Sequence, residues 1–265
     1  MSAEPKVVVI TGASSGIGAE VARTLGAAGH SLVLAARREQ ELRLVAAAAG
    51  SSTLPVATDV TDRASVNRLR DEAIRTFGRI DVWINNAGRG ITRPVLELTD
   101  EDFDEMMRVN VKSVLYGMQA VVPYFIDRGR GHLINVSSFL GRVPVASIRS
   151  AYNAAKAAVN ALTANLRVDL RAKHPEVHVS LVMPGIVTTD FARNALGGIA
   201  PFPPPGVVSG ATPGAMKPQT APEVAAVIAQ LIANPVAEVY TNPASAAIAR
   251  KYYEDVAAFE AARGA

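Results

Sequence analysis

The chain has 265 residues, 49% hydrophobic and 19% charged, which excludes a disordered polymer and suffices for one α/β domain with a sizeable core. Its 27 basic and 24 acidic side chains leave a net charge of +3, too small and too dispersed to argue for nucleic-acid binding. Cysteine is absent, which removes disulfides, thiolate metal sites and cysteine nucleophiles.

In chain order, apolar and largely β-branched runs fall at VVVI (7–10), SLVLA (31–35), LPVAT (54–58), DVWIN (81–85), HLINVS (132–137) and VHVSLVM (177–183). Helix-length stretches at 16–28, 64–77, 103–127 and 152–173 separate them. Continuous apolar strands alternating with helices predict a doubly wound, Rossmann-like parallel sheet with helices on both faces. The whole of 1–265 reads as one domain. The first apolar run is far too short for a membrane span or a signal peptide, so a cytoplasmic place and no integral membrane segment are expected. His174 and His178 flank Pro175, which argues against a helical metal pair, and no metal site is expected.

Residues 197–218 are rich in glycine and proline and predict a loop or short broken helices. Phe191, Leu196, Ile199, Phe202, Val207, Val208 and Met216 need something apolar to cover, so 190–218 is read as a substrate-side lid. A helix near 222–233, a short VYTN strand and a C-terminal helix over 244–262 follow.

VVVITGASSGIG (7–18) is a strand, a glycine-rich turn and a helix start. Such a turn aims backbone N–H groups and a helix N-terminus at a pyrophosphate. Gly12 permits the tight turn, Gly16 removes a side chain where phosphate comes close, and Gly18 lets helix pack on sheet. A plain tight loop fits the same residues. Arg37 and Arg38 close the second strand, where an acid would favour NAD. A guanidinium instead offers a charged fork to a 2′-phosphate, and an acid would repel it. The competing reading places both arginines on the solvated face of the next helix. Tyr152 and Lys156 lie four apart in a helix-forming stretch and share one face. A nearby ammonium is expected to lower the tyrosine pKa and fit it for proton transfer.

TGASSGIG, NNAG (85–88), Asn110, Ser138, YNAAK (152–156) and PGIVTT (184–189), in that order, resemble the short-chain dehydrogenases/reductases over most of the chain. The resemblance is to the NADP-preferring type. It implies a catalytic set of Asn110, Ser138, Tyr152 and Lys156. Tyr152 exchanges a proton with the substrate oxygen, Ser138 polarises that oxygen, Lys156 also holds the nicotinamide ribose, and Asn110 positions a water behind Lys156. It implies a cofactor site of Gly12, Ser14, Ser15, Gly16, Ile17, Gly18, Arg37, Arg38, Asp59, Val60, Asn86, Ala87, Gly88, Pro184, Gly185 and Thr188, with Tyr152 and Lys156. Arg37 would be the main 2′-phosphate contact, with Ser14 and Ser15 adding hydroxyls. Asp59 would meet the adenine amino group, although Asp62 fits better as a helix cap.

Ser138 and Tyr152 are 152 − 138 = 14 positions apart, one more than the family's usual step. The extra residue is placed in the 141–150 loop, which should wall the substrate pocket. The expected activity is NADP(H)-dependent interconversion of a carbonyl and an alcohol, with a hydrophobic ketone, aldehyde or secondary alcohol as substrate. Arg89, Arg142 and Arg149 are possible carboxylate receptors, with surface arginine as the default. Competing readings are an NAD-dependent alcohol dehydrogenase, a non-catalytic NADP(H)-binding sensor or scaffold, and a related sugar-nucleotide epimerase or dehydratase. The resemblance also implies a homodimer or homotetramer built on the helices at 103–127 and 152–173.

Overall fold

Val7–Thr11 consists entirely of β-branched residues, all buried, and forms the central strand β1. The computed structural model describes residues 4–198 and 216–262. In chain order β1 is followed by α1 (Gly16–Ala27), β2 (Ser31–Ala36), α2 (Glu39–Ala49), β3 (Thr53–Ala57), α3 (Arg63–Phe77) and β4 (Val82–Asn85). Next come α4 (Asp100–Met107), α5 (Ser113–Arg128), β5 (Gly131–Val136), α6 (Ser150–Arg171) and β6 (Val177–Met183). The short strands β7 (Val187–Thr188) and β8 (Gln219–Thr220), α7 (Ala221–Ala233), β9 (Glu238–Tyr240), α8 (Ser245–Glu254) and α9 (Val256–Ala261) complete the described residues.

Seven strands make one parallel sheet in the order β3-β2-β1-β4-β5-β6-β9. Alternate residues of β1 feed opposite layers. Val8 and Ile10 pack with α1, α2 and α7, while Val9 packs with α3, α5 and α6. The strand order reverses between β1 and β4, and that reversal opens a crevice at the carboxyl ends of both. β7 and β8 pair separately beyond it.

Three expectations need correction or restriction. The stretch 103–127 is not one helix. Thr99 accepts from the Asp102 backbone and starts α4 early, and a π-helical turn, Arg108–Lys112, separates it from α5. The C-terminal helix over 244–262 is two helices, because Asp255 is extended and caps α9 by accepting from the Ala258 backbone at 2.9 Å. Of the lid residues, Ile199, Phe202, Val207 and Val208 lie outside the described residues. No helix among the described residues is long and apolar enough to cross a membrane.

Candidate active site

A cleft of about 880 Å³ runs along the carboxyl ends of the strands, from the turn after β1 to α6 and the segment after β6. Of the residues expected at the cofactor or the chemistry, all line it except Gly18 and Asn110.

The turn after β1 is held from both sides. Gly12 has φ +68°, and a Cβ there would sit 2.7 Å from the Ala87 Cα. The Gly16 backbone is also left-handed at φ +56°, yet a Cβ would meet nothing closer than 3.6 Å. Backbone conformation therefore demands glycine at 16, and the protein itself leaves the space beside it open. At Gly18 a Cβ would strike the Gly12 carbonyl at 2.5 Å, so this glycine serves packing and lies behind the cleft. Thr11 Oγ1 accepts from the Asn86 and Ala87 backbones at 3.0 and 3.2 Å, and Asn86 Nδ2 donates to the Thr11 carbonyl at 2.9 Å. The NNAG segment is thus stitched to β1.

α1 begins at this turn without a side-chain cap: Ser15 is its N-cap but gives it no hydrogen bond, and its first turn holds no acid. Uncapped N–H groups and the positive end of the helix dipole suit an anionic phosphate. The Ser15 hydroxyl is engaged elsewhere. Arg38 Nη2 donates to Ser15 Oγ at 2.7 Å and to Ser14 Oγ at 3.0 Å. The sequence expectation made Arg37 the main contact; here Arg38 is the arginine tied to the two serines. Arg37 acts electrostatically on Asp59, and its side chain has no hydrogen bond among the described residues. Ala36 ends β2 between these groups and carries no charge. Asp59 faces the cleft, with Oδ1 accepting from the Thr61 backbone and hydroxyl at 2.9 and 2.8 Å. Although burial opposes it, those bonds and the charges of Arg37 and Arg108 hold the Asp59 carboxyl below its ordinary value. Asp62 caps α3 by accepting from the Ala64 and Ser65 backbones. Glycine turn, uncapped helix, serine–arginine cluster and ionised aspartate together fit a nicotinamide dinucleotide.

At the other end, Tyr152 and Lys156 face the same cleft from α6, with Lys156 Nζ 5.6 Å from the Tyr152 ring centre. The expected lowering of the tyrosine pKa is overturned. Burial pushes Tyr152 up to about 12, only partly opposed by its hydrogen bond with Ser138 and by the charge of Arg149. Burial also pushes Lys156 down to about 8, and its ammonium donates to the Val136 carbonyl at 3.0 Å. Burial thus favours the neutral phenol at Tyr152.

Asn110 lies in the π-helical turn and is fully buried behind Gly88. Its Oδ1 accepts from the Arg89 backbone, and its Nδ2 donates to the Arg89 and Met106 carbonyls, at 3.0, 3.0 and 3.1 Å. A Cβ on Gly88 would come 2.9 Å from Asn110 Oδ1 and 3.6 Å from Lys156 Nζ. Gly88 thus lies close to both polar groups. Single π turns occur often at functional sites.

Four residues that matter here carried no motif. Ser137 donates to the Lys156 carbonyl and Asn160 Oδ1 at 3.1 and 2.5 Å, fixing α6 against β5. Asn135 donates to Thr163 at 3.0 Å and accepts from Asn85 at 2.9 Å, a buried polar chain from β4 to α6. Phe191 meets Tyr152 edge-on with ring centres 5.5 Å apart. Arg149 is buried instead of lying on the surface. Arg89 and Arg142, by contrast, pair with Glu105 at 3.3 Å and Glu238 at 2.5 Å. Val145 and Ala146 of the 141–150 loop line the cleft.

The sequence profile of short chain dehydrogenase matches residues 6–197. An uncharacterised oxidoreductase of Staphylococcus saprophyticus is 42% identical over 188 residues, covering 70% of this chain and 76% of the relative. A short chain dehydrogenase/reductase of Burkholderia phymatum, solved with NAD, is 31% identical, covers 97% of this chain and 95% of its own, and superposes with TM-score 0.83. An alcohol dehydrogenase from the archaeon Thermococcus sibiricus, complexed with 5-hydroxy-NADP, is 28% identical over 90% of this chain and 97% of its own, with TM-score 0.75.

Proposed function

This chain belongs to the short-chain dehydrogenase family of nucleotide-binding oxidoreductases, and from that premise we propose that it uses NADP(H) to interconvert a carbonyl and an alcohol. The observation that carries the reading is the placement, in one cleft, of a buried Tyr152 with Ser138 and Lys156 at one end and the Ser14–Ser15–Arg38 cluster at the far end. When bound, the nicotinamide supplies a hydride to the carbonyl carbon. In that direction Tyr152 gives its proton to the carbonyl oxygen, and Ser138 donates to the same oxygen as negative charge develops. Lys156 stands beneath the phenol and favours its ionised form once the proton has left. Asn110 and Lys156 both stand close to Gly88, and Lys156, facing the cleft, is the group placed to support reprotonation of the phenol. Pro184, Gly185 and Thr188 orient the nicotinamide.

The cofactor preference rests on charge. The end of β2 offers Ala36, Arg37 and Arg38 and no acid, so a 2′-phosphate meets guanidinium and hydroxyl donors without repulsion. Relatives with either cofactor share the fold, so the decision lies in these side chains. The apolar wall of Val145, Ala146, Phe191 and Met216 favours a substrate with a hydrophobic body.

A test is reduction of a panel of ketones and aldehydes by the purified protein with NADPH, beside Tyr152→Phe. Turnover that falls in the variant while NADPH still binds supports the reading. NADPH binding without turnover of any carbonyl or alcohol points to the sensor or scaffold instead.

A further inference from the structure

Arg149 lies three positions before Tyr152 and is only 8% exposed, yet it lines the cleft. Its Nη1 donates to the Ile91 carbonyl at 3.0 Å and to Thr92 Oγ1 at 3.4 Å. Nε and Nη2, the edge that grips a carboxylate side-on, have no hydrogen-bond partner among the described residues. No described carboxylate lies within ion-pair reach of the guanidinium. Its arginine neighbours along the cleft wall differ: Arg89 pairs with Glu105 at 3.3 Å and Arg193 with Asp190 at 3.3 Å. A buried cation without a counter-ion is costly, and burial draws the Arg149 pKa down accordingly. Two unengaged donors in a fixed plane, on a residue that lines the cleft, match a carboxylate better than any neutral group.

The walls around it define the rest of the ligand. A Cβ on Gly90 would come 2.9 Å from Phe191 Cε1 and 3.1 Å from Arg149 Nη1, so glycine lets ring and guanidinium close over the same spot. Phe191 also meets the Tyr152 ring. A carboxylate on Arg149 therefore belongs to the molecule whose oxygen reaches Tyr152.

We propose that Arg149 receives a substrate carboxylate, so that the substrates are oxo acids and hydroxy acids with an apolar body. This rests on the reading of the Tyr152 end as the reacting centre.

The test uses the protein saturated with NADPH and two matched probes, hexanoate and hexanamide, with binding measured by calorimetry. Wild type should bind hexanoate at least about 10-fold more tightly than hexanamide. Arg149→Met should bring the ratio to about 1, and Arg149→Lys, which keeps the charge and loses the fork, should leave an intermediate ratio. Equal affinity of the two probes for wild type overturns the proposal, and that comparison stands even if a variant fails to fold. A ratio unchanged in Arg149→Met also overturns it and leaves Arg149 as a brace for residues 91–92. Neutral ketones turned over with no hexanoate preference sink the carboxylate assignment alone. An Arg149-dependent hexanoate preference without turnover of any carbonyl or alcohol sinks the oxidoreductase chemistry alone.

Discussion

At the nucleotide end of the cleft the charges stand in water; at the reacting end they are buried. Arg37 and Arg38 are exposed, and Arg38 reaches Ser14, Ser15 and, at 3.9 Å, Glu41. Exposed pairs of this kind contribute little to stability. On the proposed reading, they select a cofactor by the pattern of donors they offer. Tyr152, Lys156 and Arg149 are all buried, and burial outweighs their neighbours in setting their protonation. On the proposed reading, the same cleft separates recognition by exposed charges from reactivity at buried ones, which depends on the packing of α6.

Variants that leave one end intact while disabling the other would sharpen this division. The largest effect belongs to Tyr152→Phe, which keeps the ring against Phe191 and removes the proton. Steady-state kinetics should show kcat lower by about 10²–10⁴-fold with the NADPH dissociation constant little changed. Parallel losses in kcat and in cofactor affinity would break the division. Next is Ser137→Ala. It removes the hydroxyl that ties β5 to α6 at Lys156 and Asn160, and should cost about 1–3 kcal/mol in denaturant unfolding. Its kcat should fall more than its affinity for NADPH, because the groups displaced are at the reacting end.

The pH dependence follows from the sign of the Tyr152 shift. Oxidation of an alcohol needs the phenolate, which a raised pKa makes scarce, so its kcat/KM should climb between about pH 7 and 10. Reduction needs the phenol and should hold steady from about pH 7 until Lys156 loses its proton near its depressed value of about 8, above which it should fall. An oxidation rate already flat at about pH 7 would mean the phenol ionises far below the position burial gives it. The smallest effect is Ser15→Ala, which removes one of two hydroxyls holding Arg38. A loss of about 2–5-fold in NADPH affinity with NADH unaffected fits a cluster of shared bonds.

Much of this was legible in the chain, for identifiable reasons. The central strands are apolar runs, β1 and β4 buried throughout and β2 at all but its first residue, so apolar runs and flanking glycines mark them. Gly12 and Gly18 announce their roles because any side chain there meets backbone. The order TGASSGIG, NNAG, YNAAK and PGIVTT marks the cleft before any coordinates are drawn. What stayed hidden depends on tertiary burial. Four-residue spacing puts Lys156 on the face of Tyr152 but says nothing of the desolvation that reverses the expected shift. Arg149 looks like any loop arginine until residues 90–93 and Phe191 fold over it. The π turn at Asn110 leaves no local signature, since Arg108–Lys112 reads as ordinary helix. Choosing between Arg37 and Arg38 needed the position of the serine turn, which lies 24 and 23 residues away from Arg38 in the chain.

The most direct test of the account is a fluorescence titration of the protein with NADPH and with NADH, repeated for Arg37→Asp and Arg38→Asp. The account predicts that wild type prefers NADPH by at least about 10-fold, and that an acid at either position removes or reverses the preference while NADH still binds. Equal binding of both cofactors to wild type, unmoved by either substitution, would contradict it and return both arginines to the surface of α2.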